Sequence, residues 1–183
     1  MRNRCDSCLK LSEACFCHTI TSISNHKKII ILQSKEESKH ILNTGIMAKL
    51  TFQNISIYND EPFFKCQELL NELSHSKACL FKPHSESLSF ESSHGDFDTL
   101  IFIDATWKKA NKIFFENEFL SLIPKVSFTT HIESQYFLRK EPKKNYISTF
   151  EAAVHAIEID QGECYKSSLA PLKFIQEFQN KFI

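Results

Sequence analysis

The stretch Leu100-Ile101-Phe102-Ile103-Asp104-Ala105-Thr106-Trp107-Lys108-Lys109-Ala110 decides how the rest of the chain is read. Four bulky apolar residues between polar ones have the length and composition of a buried strand, and a helical pattern follows at once through Ile113, Phe114 and Phe115. Asp104, Thr106 and Trp107, the only tryptophan, therefore fall at the carboxyl end of a strand, the edge where open α/β sheets bind ligands. A carboxylate, a hydroxyl and a large flat ring at that edge mark a candidate site.

Working outward, Lys28 to Gln33 is a second short apolar run and reads as a central parallel strand. Ser34 is a good N-cap for a helix that carries Ile41, Leu42, Ile46, Met47 and Leu50 on one face, with Asn43, Thr44 and Gly45 making a turn or bend inside it. Further strands are predicted over Asn54 to Tyr58, Lys77 to Phe81 and Pro124 to Thr130, the last as an outer strand. Helices are predicted over Pro62 to Leu73 and from Ser168 to Phe182. The Ser-, His- and Glu-rich segment Lys82 to Asp96 reads as a loop beside the site, with His84 and His94 as bystanders. Alternating strands and helices define an α/β domain with a mostly parallel sheet.

The 183 residues suffice for one main domain, and no apolar run is long enough to span a membrane. With no apolar leader after Met1, the expected location is the cytoplasm. Twenty-two basic and twenty-two acidic side chains cancel, so a nucleic-acid partner must be held by local patches. Only three glycines, each isolated, exclude a GxGxxG dinucleotide loop and a P-loop.

Cys5, Cys8, Cys15 and Cys17 fall within thirteen residues as Cys-x-x-Cys and Cys-x-Cys. In a reducing compartment this spacing favours a four-thiolate zinc site, structural because no ligand position is left for water. A reduced, loosely held tail or an iron-sulfur cluster are the alternatives. The expected division is a zinc-binding segment over 1–25 and a catalytic domain over 26–183, with Cys66, Cys79 and Cys164 as small core residues.

The segment Ser134 to Tyr146 sets Arg139, Lys140, Lys143 and Lys144 against one acid, Glu141, with Tyr136 among them. Cations interleaved with rings suit RNA, and Lys108, Lys109, Arg2 and Arg4 extend the set. Ser148, Thr149 and Glu151 then open a helix with capping-box spacing, which explains them structurally and also offers free amides to a ligand.

These residues together resemble the DTW-domain family of tRNA-uridine aminocarboxypropyltransferases. The shared marks are Asp104-Ala105-Thr106-Trp107, the amino-terminal cysteines, Asn43-Thr44-Gly45 after Glu36 or Glu37, Ser134-x-Tyr136-x-Leu138-Arg139, and Ser148-Thr149-x-Glu151-Ala152. The resemblance implies a SPOUT-like knotted α/β fold, S-adenosylmethionine as donor, and transfer of its 3-amino-3-carboxypropyl group to N3 of a tRNA uridine. It implies cofactor contacts from Thr44, Asp104, Thr106, Trp107, Leu138, Arg139, Ser148, Thr149 and Glu151. Asp104 is expected to hold the donor's ammonium group rather than to act as base, with Trp107 walling the pocket beside the sulfonium. Family members often carry His-Pro after the first strand, whereas Gln33-Ser34-Lys35 stands here. A methyltransferase and a non-catalytic RNA-binding module are the other readings, and no obligatory protein partner is evident.

Overall fold

In a computed structural model, the described residues are 3–39, 43–132, 134 and 147–181. Six parallel strands form one sheet: β1 (Lys28–Gln33), β2 (Ile55–Tyr58), β3 (Ala78–Phe81), β4 (Leu88–Ser89), β5 (Thr99–Asp104) and β6 (Lys125–Ser127), in the order β2-β1-β5-β3-β6-β4. The two runs read first in the sequence are neighbours, with Lys28 opposite Thr99 and Gln33 opposite Asp104. Their carboxyl ends are therefore level, and Gln33 and Asp104 project from the same rung.

The continuous apolar character of β1 and β5 follows from burial on both faces. On one face Ile29, Ile31, Leu100 and Phe102 meet α2 (Gly45–Thr51), α7 (Thr149–Gln161) and α8 (Ala170–Asn180). On the other, Ile30, Leu32, Leu80 and Ile101 pack with Leu69 of α3 (Gln67–Ser74), Ile113 of α5 (Trp107–Glu116) and Leu120 of α6 (Phe119–Leu122). Two helix layers thus enclose the sheet. α7 ends at Gly162, whose φ of 68° is the left-handed conformation that a helix C-cap commonly takes and that glycine adopts without strain.

Ser34 caps α1 (Lys35–Lys39) as expected, its hydroxyl accepting from the Glu37 amide at 3.1 Å. Thr44 and Gly45 break the expected long helix at the start of α2, while Ile41 and Leu42 lie outside the described residues. Three expectations need correction. The strand at 125–127 is not the outer one, because β4 pairs beyond it. The segment read as a loop, 82–96, holds β4, the short helix α4 (Phe90–Ser93) and a final 3₁₀ turn. Cys164 is exposed, so only Cys79 of the three scattered cysteines is fully buried.

The amino-terminal segment is fastened to this core. Cys8, Phe16 and Ile23 are buried in the same apolar cluster as Met47, Phe150 and Leu172. His18 stands edge-on to Phe174 of α8 at 4.8 Å, and Gln161 Nε2 donates to the Ser24 carbonyl at 2.9 Å.

Candidate active site and thiolate cluster

Asp104 ends β5 with 5 % of its surface exposed, and three distant parts of the chain converge on it. Gln33 Nε2 donates to Oδ2 at 2.7 Å and also to Asn43 Oδ1 at 2.8 Å. Thr149, the first residue of α7, donates its hydroxyl to Oδ1 at 2.8 Å. The Gly45 amide donates to Asn43 Oδ1 at 2.9 Å, and the Ser34 amide donates to the Asp104 carbonyl at 3.0 Å. A buried carboxylate needs donors in place of water, and here those donors tie β1, α2 and α7 to the end of β5. Gly45 is required by space: a Cβ there would stand 2.4 Å from Gln33 Nε2 and 3.3 Å from Asp104 Oδ2.

Beside this knot of bonds lies a cleft of about 560 Å³, within the usual size range of small-molecule sites. Trp107, the first residue of α5 and 39 % exposed, forms one wall with Ile103 and Phe102; Thr149 and Ala152 of α7 form another. Phe128 to Ile132 close the far side, above Phe81, whose ring stacks on Phe102 at 4.5 Å and leans on Phe128 at 4.9 Å. A second hollow, of about 480 Å³, lies between Lys77, Phe97 and Pro124 at the opposite edge of the sheet, away from every motif.

The other expected ligands fall around the cleft in distinct ways. Thr106 is the N-cap of α5, its hydroxyl accepting from the Lys109 amide at 3.4 Å. Ser148 and Glu151 form a complete capping box on α7, and buried Glu151 also accepts from the Ser134 hydroxyl at 3.1 and 3.2 Å. Thr44 is buried at the start of α2. Lys108 is exposed, Lys109 is drawn to Glu61 at 2.8 Å and Glu36 at 3.7 Å, and Arg4 donates to the Leu9 carbonyl at 2.9 Å. The Glu61 hydrogen bond holds the Lys109 ammonium above its ordinary pKa. Arg2, Tyr136, Leu138, Arg139, Lys140, Lys143 and Lys144 lie outside the described residues.

Sequence reasoning missed two contributors. His84, expected to be a bystander, lines the cleft. Glu91, from the segment read as a loop, holds the Thr129–Thr130 wall. Its carboxylate accepts from the Thr129 amide at 2.8 Å, the Thr130 amide at 3.0 Å, the Thr130 hydroxyl at 2.9 Å and Ser89 Oγ at 2.9 Å. Burial opposes its ionisation, but these donors prevail and hold its pKa down at about 2. The partners are 38 and 39 positions away, so no local pattern could reveal them.

The four amino-terminal cysteines come together as their spacing predicts. Their sulfurs lie within 4.8 Å of one another, with Cys5–Cys17 at 3.6 Å and Cys8–Cys15 at 3.8 Å. A tetrahedral zinc with bonds of about 2.3 Å sets its sulfurs about 3.8 Å apart, so this donor set fits that ion. The Cys8 and Ser7 amides draw the Cys5 thiol down to about 6, while burial pushes Cys17 up. Leu9 closes the turn at φ 61°.

A doubly wound parallel domain with an Asp-x-Thr-Trp strand end, a capped helix start bonded to it and a four-cysteine cluster defines a small and particular class of α/β proteins. The chain belongs to the DTW domain family, whose model matches residues 2–180. It is 26% identical over 192 residues to tRNA-uridine aminocarboxypropyltransferase 2 of Drosophila melanogaster, across 97% of this chain and 75% of that protein. The protein of the same name from Mus musculus is 28% identical over 192 residues, across 97% of this chain and 64% of its own length. tRNA-uridine aminocarboxypropyltransferase A of Arabidopsis thaliana is 26% identical over 218 residues, across 100% and 83% respectively. The chain thus spans about two thirds of the mouse relative. No solved structure matches it.

Proposed function

We propose that this protein transfers the 3-amino-3-carboxypropyl group of S-adenosylmethionine to N3 of a uridine in tRNA, releasing 5′-methylthioadenosine. The observation that carries the reading is the junction at Asp104, which fastens Gln33, Asn43 and Thr149 beside an aromatic cleft in a chain matching the DTW family along nearly its whole length. The names of the three relatives supply the transferred group and a tRNA uridine as acceptor, while the donor and the N3 position are part of the proposal.

The residues present fit the donor. The sulfonium carries positive charge, and the half-exposed face of Trp107 offers a cation–π wall for it. The donor, when bound, supplies an electrophilic carbon next to that sulfonium. Everything else falls to the chain. Both Asp104 oxygens already accept hydrogen bonds, which suits a fixed anion that orients an ammonium group better than a group that collects a proton. Thr149 and Gln33 hold that anion in place, and Thr149 at the start of α7 lines the same cleft. Thr44, Leu138, Arg139, Ser148 and Glu151 complete the cofactor set in this reading. Arg2, Arg4, Lys108, Lys109, Tyr136, Lys140, Lys143 and Lys144 meet RNA. A structural zinc on Cys5, Cys8, Cys15 and Cys17 stabilises the amino-terminal segment 1–25 where it packs on the catalytic domain 26–183. A knotted, SPOUT-like chain path and action in the cytoplasm belong to the same proposal.

The test is incubation with labelled donor and unmodified total tRNA, followed by mass analysis of nucleosides and of the spent donor. A uridine heavier by the aminocarboxypropyl group, with methylthioadenosine formed in equal amount, is expected. S-adenosylhomocysteine with a methylated base would overturn the reading in favour of a methyltransferase. tRNA binding without any product would overturn it in favour of a binding module.

A further inference from the structure

Outside the cleft, one surface combines rings with two lysines that pair with no carboxylate among the described residues. Phe115 of α5 is 76 % exposed and meets Phe114 edge-on at 5.4 Å. Lys82 Nζ lies 4.8 Å from the Phe114 ring centre and Lys125 Nζ lies 5.7 Å from it, one approaching from just past β3 and the other from β6. Neutral groups position both ammonium heads: Asn111 Oδ1 accepts from Lys82 at 2.7 Å, and the Ser121 carbonyl accepts from Lys125 at 2.5 Å. Among the described residues neither lysine meets a carboxylate, and Glu116, the nearest acid along the helix, is paired with Lys112 at 3.5 Å. Lys82 is half-buried, and this burial lowers its pKa, so its charge is stabilised by an incoming anion more than a fully hydrated one would be.

The surface adjoins the cleft along the chain. Lys82 sits between Phe81 and Pro83, both of which line the cleft, and Trp107 of the cleft begins the helix that carries Phe114 and Phe115. Eight residues at 1.5 Å rise separate Trp107 from Phe115 by about 12 Å. A largely bare Phe115 ring, set edge-on to a Phe114 ring over which two ammonium groups free of carboxylates stand, is an arrangement on which an unstacked base rests while its phosphates are neutralised.

We infer that Phe115, Lys82 and Lys125 form a docking track for the RNA strand next to the nucleotide in the cleft, with a base stacked on Phe115 and phosphates at the two lysines. This rests on the reading of the protein as an enzyme acting on tRNA and extends it to a surface that no sequence motif marks. A protein patch on Phe115, including a second copy of this chain, is the competing occupant. Its acidic counterpart would have to come from elsewhere, whereas RNA brings its own charge at every nucleotide.

The experiment measures equilibrium binding of unmodified total tRNA, without donor, over a series of salt concentrations. Phe115→Ala is expected to weaken binding about tenfold or more, with little change in salt slope. Lys82→Met with Lys125→Met, which keeps the aliphatic packing on Phe114, is expected to weaken binding and lower the salt slope by about 1.4, since each phosphate of a single strand that is no longer neutralised removes about 0.7. Lys173→Ala, at an exposed position of α8, serves as the control. If all variants bind like the control, the track is wrong; if Phe115→Ala instead abolishes self-association in sedimentation, the competing occupant is right. Patch-dependent binding without any transfer would refute the functional reading and leave the track standing. Transfer with patch-independent binding would do the reverse.

Discussion

Gly45→Ala sets two effects of opposite sign against each other at the centre of the site. Alanine is the better helix former by about 1 kcal/mol, and Gly45 opens α2 with a backbone any residue can adopt, so propensity alone predicts stabilisation. The added methyl would, however, stand 2.4 Å from Gln33 Nε2, 3.0 Å from Asn43 Oδ1 and 3.3 Å from Asp104 Oδ2. Gln33 is 3 % exposed and bonded to both neighbours, so it cannot swing aside without leaving a buried carboxylate short of a donor. A hydrogen bond to a charged group is worth about 1.5–3 kcal/mol and overpacking costs about 1 kcal/mol or more. Set against the propensity gain, the variant is expected to lose about 2 kcal/mol, or about 4–8 °C in melting midpoint for a chain of this size. Because Gln33 also positions Asp104, the KM for the donor is expected to rise more than kcat falls. Thermal unfolding and steady-state kinetics on the same preparation read both. In a Gln33→Ala background the nearest obstacle is gone, and Gly45→Ala is expected to cost much less than in the natural background. A raised midpoint for Gly45→Ala in the natural background, with the donor KM unchanged, would refute the reasoning.

Three further outcomes are expected. The Glu91 clamp, with a folded pKa of about 2 against an ordinary 4.5, contributes in full above about pH 4.5 and is lost as pH falls toward about 2; Glu91→Gln should therefore melt lower than the natural protein at pH 7, with the gap closing in acid, and a constant gap would refute the charge argument. Metal analysis should find about one zinc per chain, and chelation or Cys15→Ser should lower the midpoint by about 6–12 °C, from about 3 kcal/mol at roughly 2–4 °C each; an unchanged midpoint would remove the structural role of the cluster. Leu9 is exposed and held at φ 61°, a conformation costing a side-chain-bearing residue about 1 kcal/mol, so Leu9→Gly should stabilise the protein by about that amount in chemical denaturation.

What could be read from the sequence was what short range determines. β1 and β5 were legible because burial on both faces leaves an unbroken apolar run, and Asp104 could be placed at a strand end because the helical pattern begins so soon after it. The cysteine cluster was legible because all four ligands lie within thirteen residues. The order of strands was not, since β5 inserts between β1 and β3 by pairing that no local pattern encodes. β4 escaped because two residues have no periodicity. Gln33, noted only as a departure from His-Pro, turns out to be the donor that joins Asn43 to Asp104, a role that depends on β1 and β5 being in register. The resemblance placed Thr149 near the cofactor; that its hydroxyl bonds Asp104, 45 positions earlier, is a fact of tertiary structure alone.

The fastening of the amino-terminal segment to α7 and α8 bears on how the chain is made. Ser24 is joined to Gln161, 137 positions later, and His18 to Phe174, so the apolar side of residues 8–23 waits for its partners in α7 and α8 after it leaves the ribosome. At about 5–20 residues per second the wait is roughly 7–30 s, long compared with local folding events. A four-ligand ion site assembled from thirteen consecutive residues needs nothing from the rest of the chain, and its closure would fold Cys8 and Phe16 into a compact hook during that interval. Metal supply at the moment of synthesis would then govern the yield of native protein as well as the stability of protein already folded.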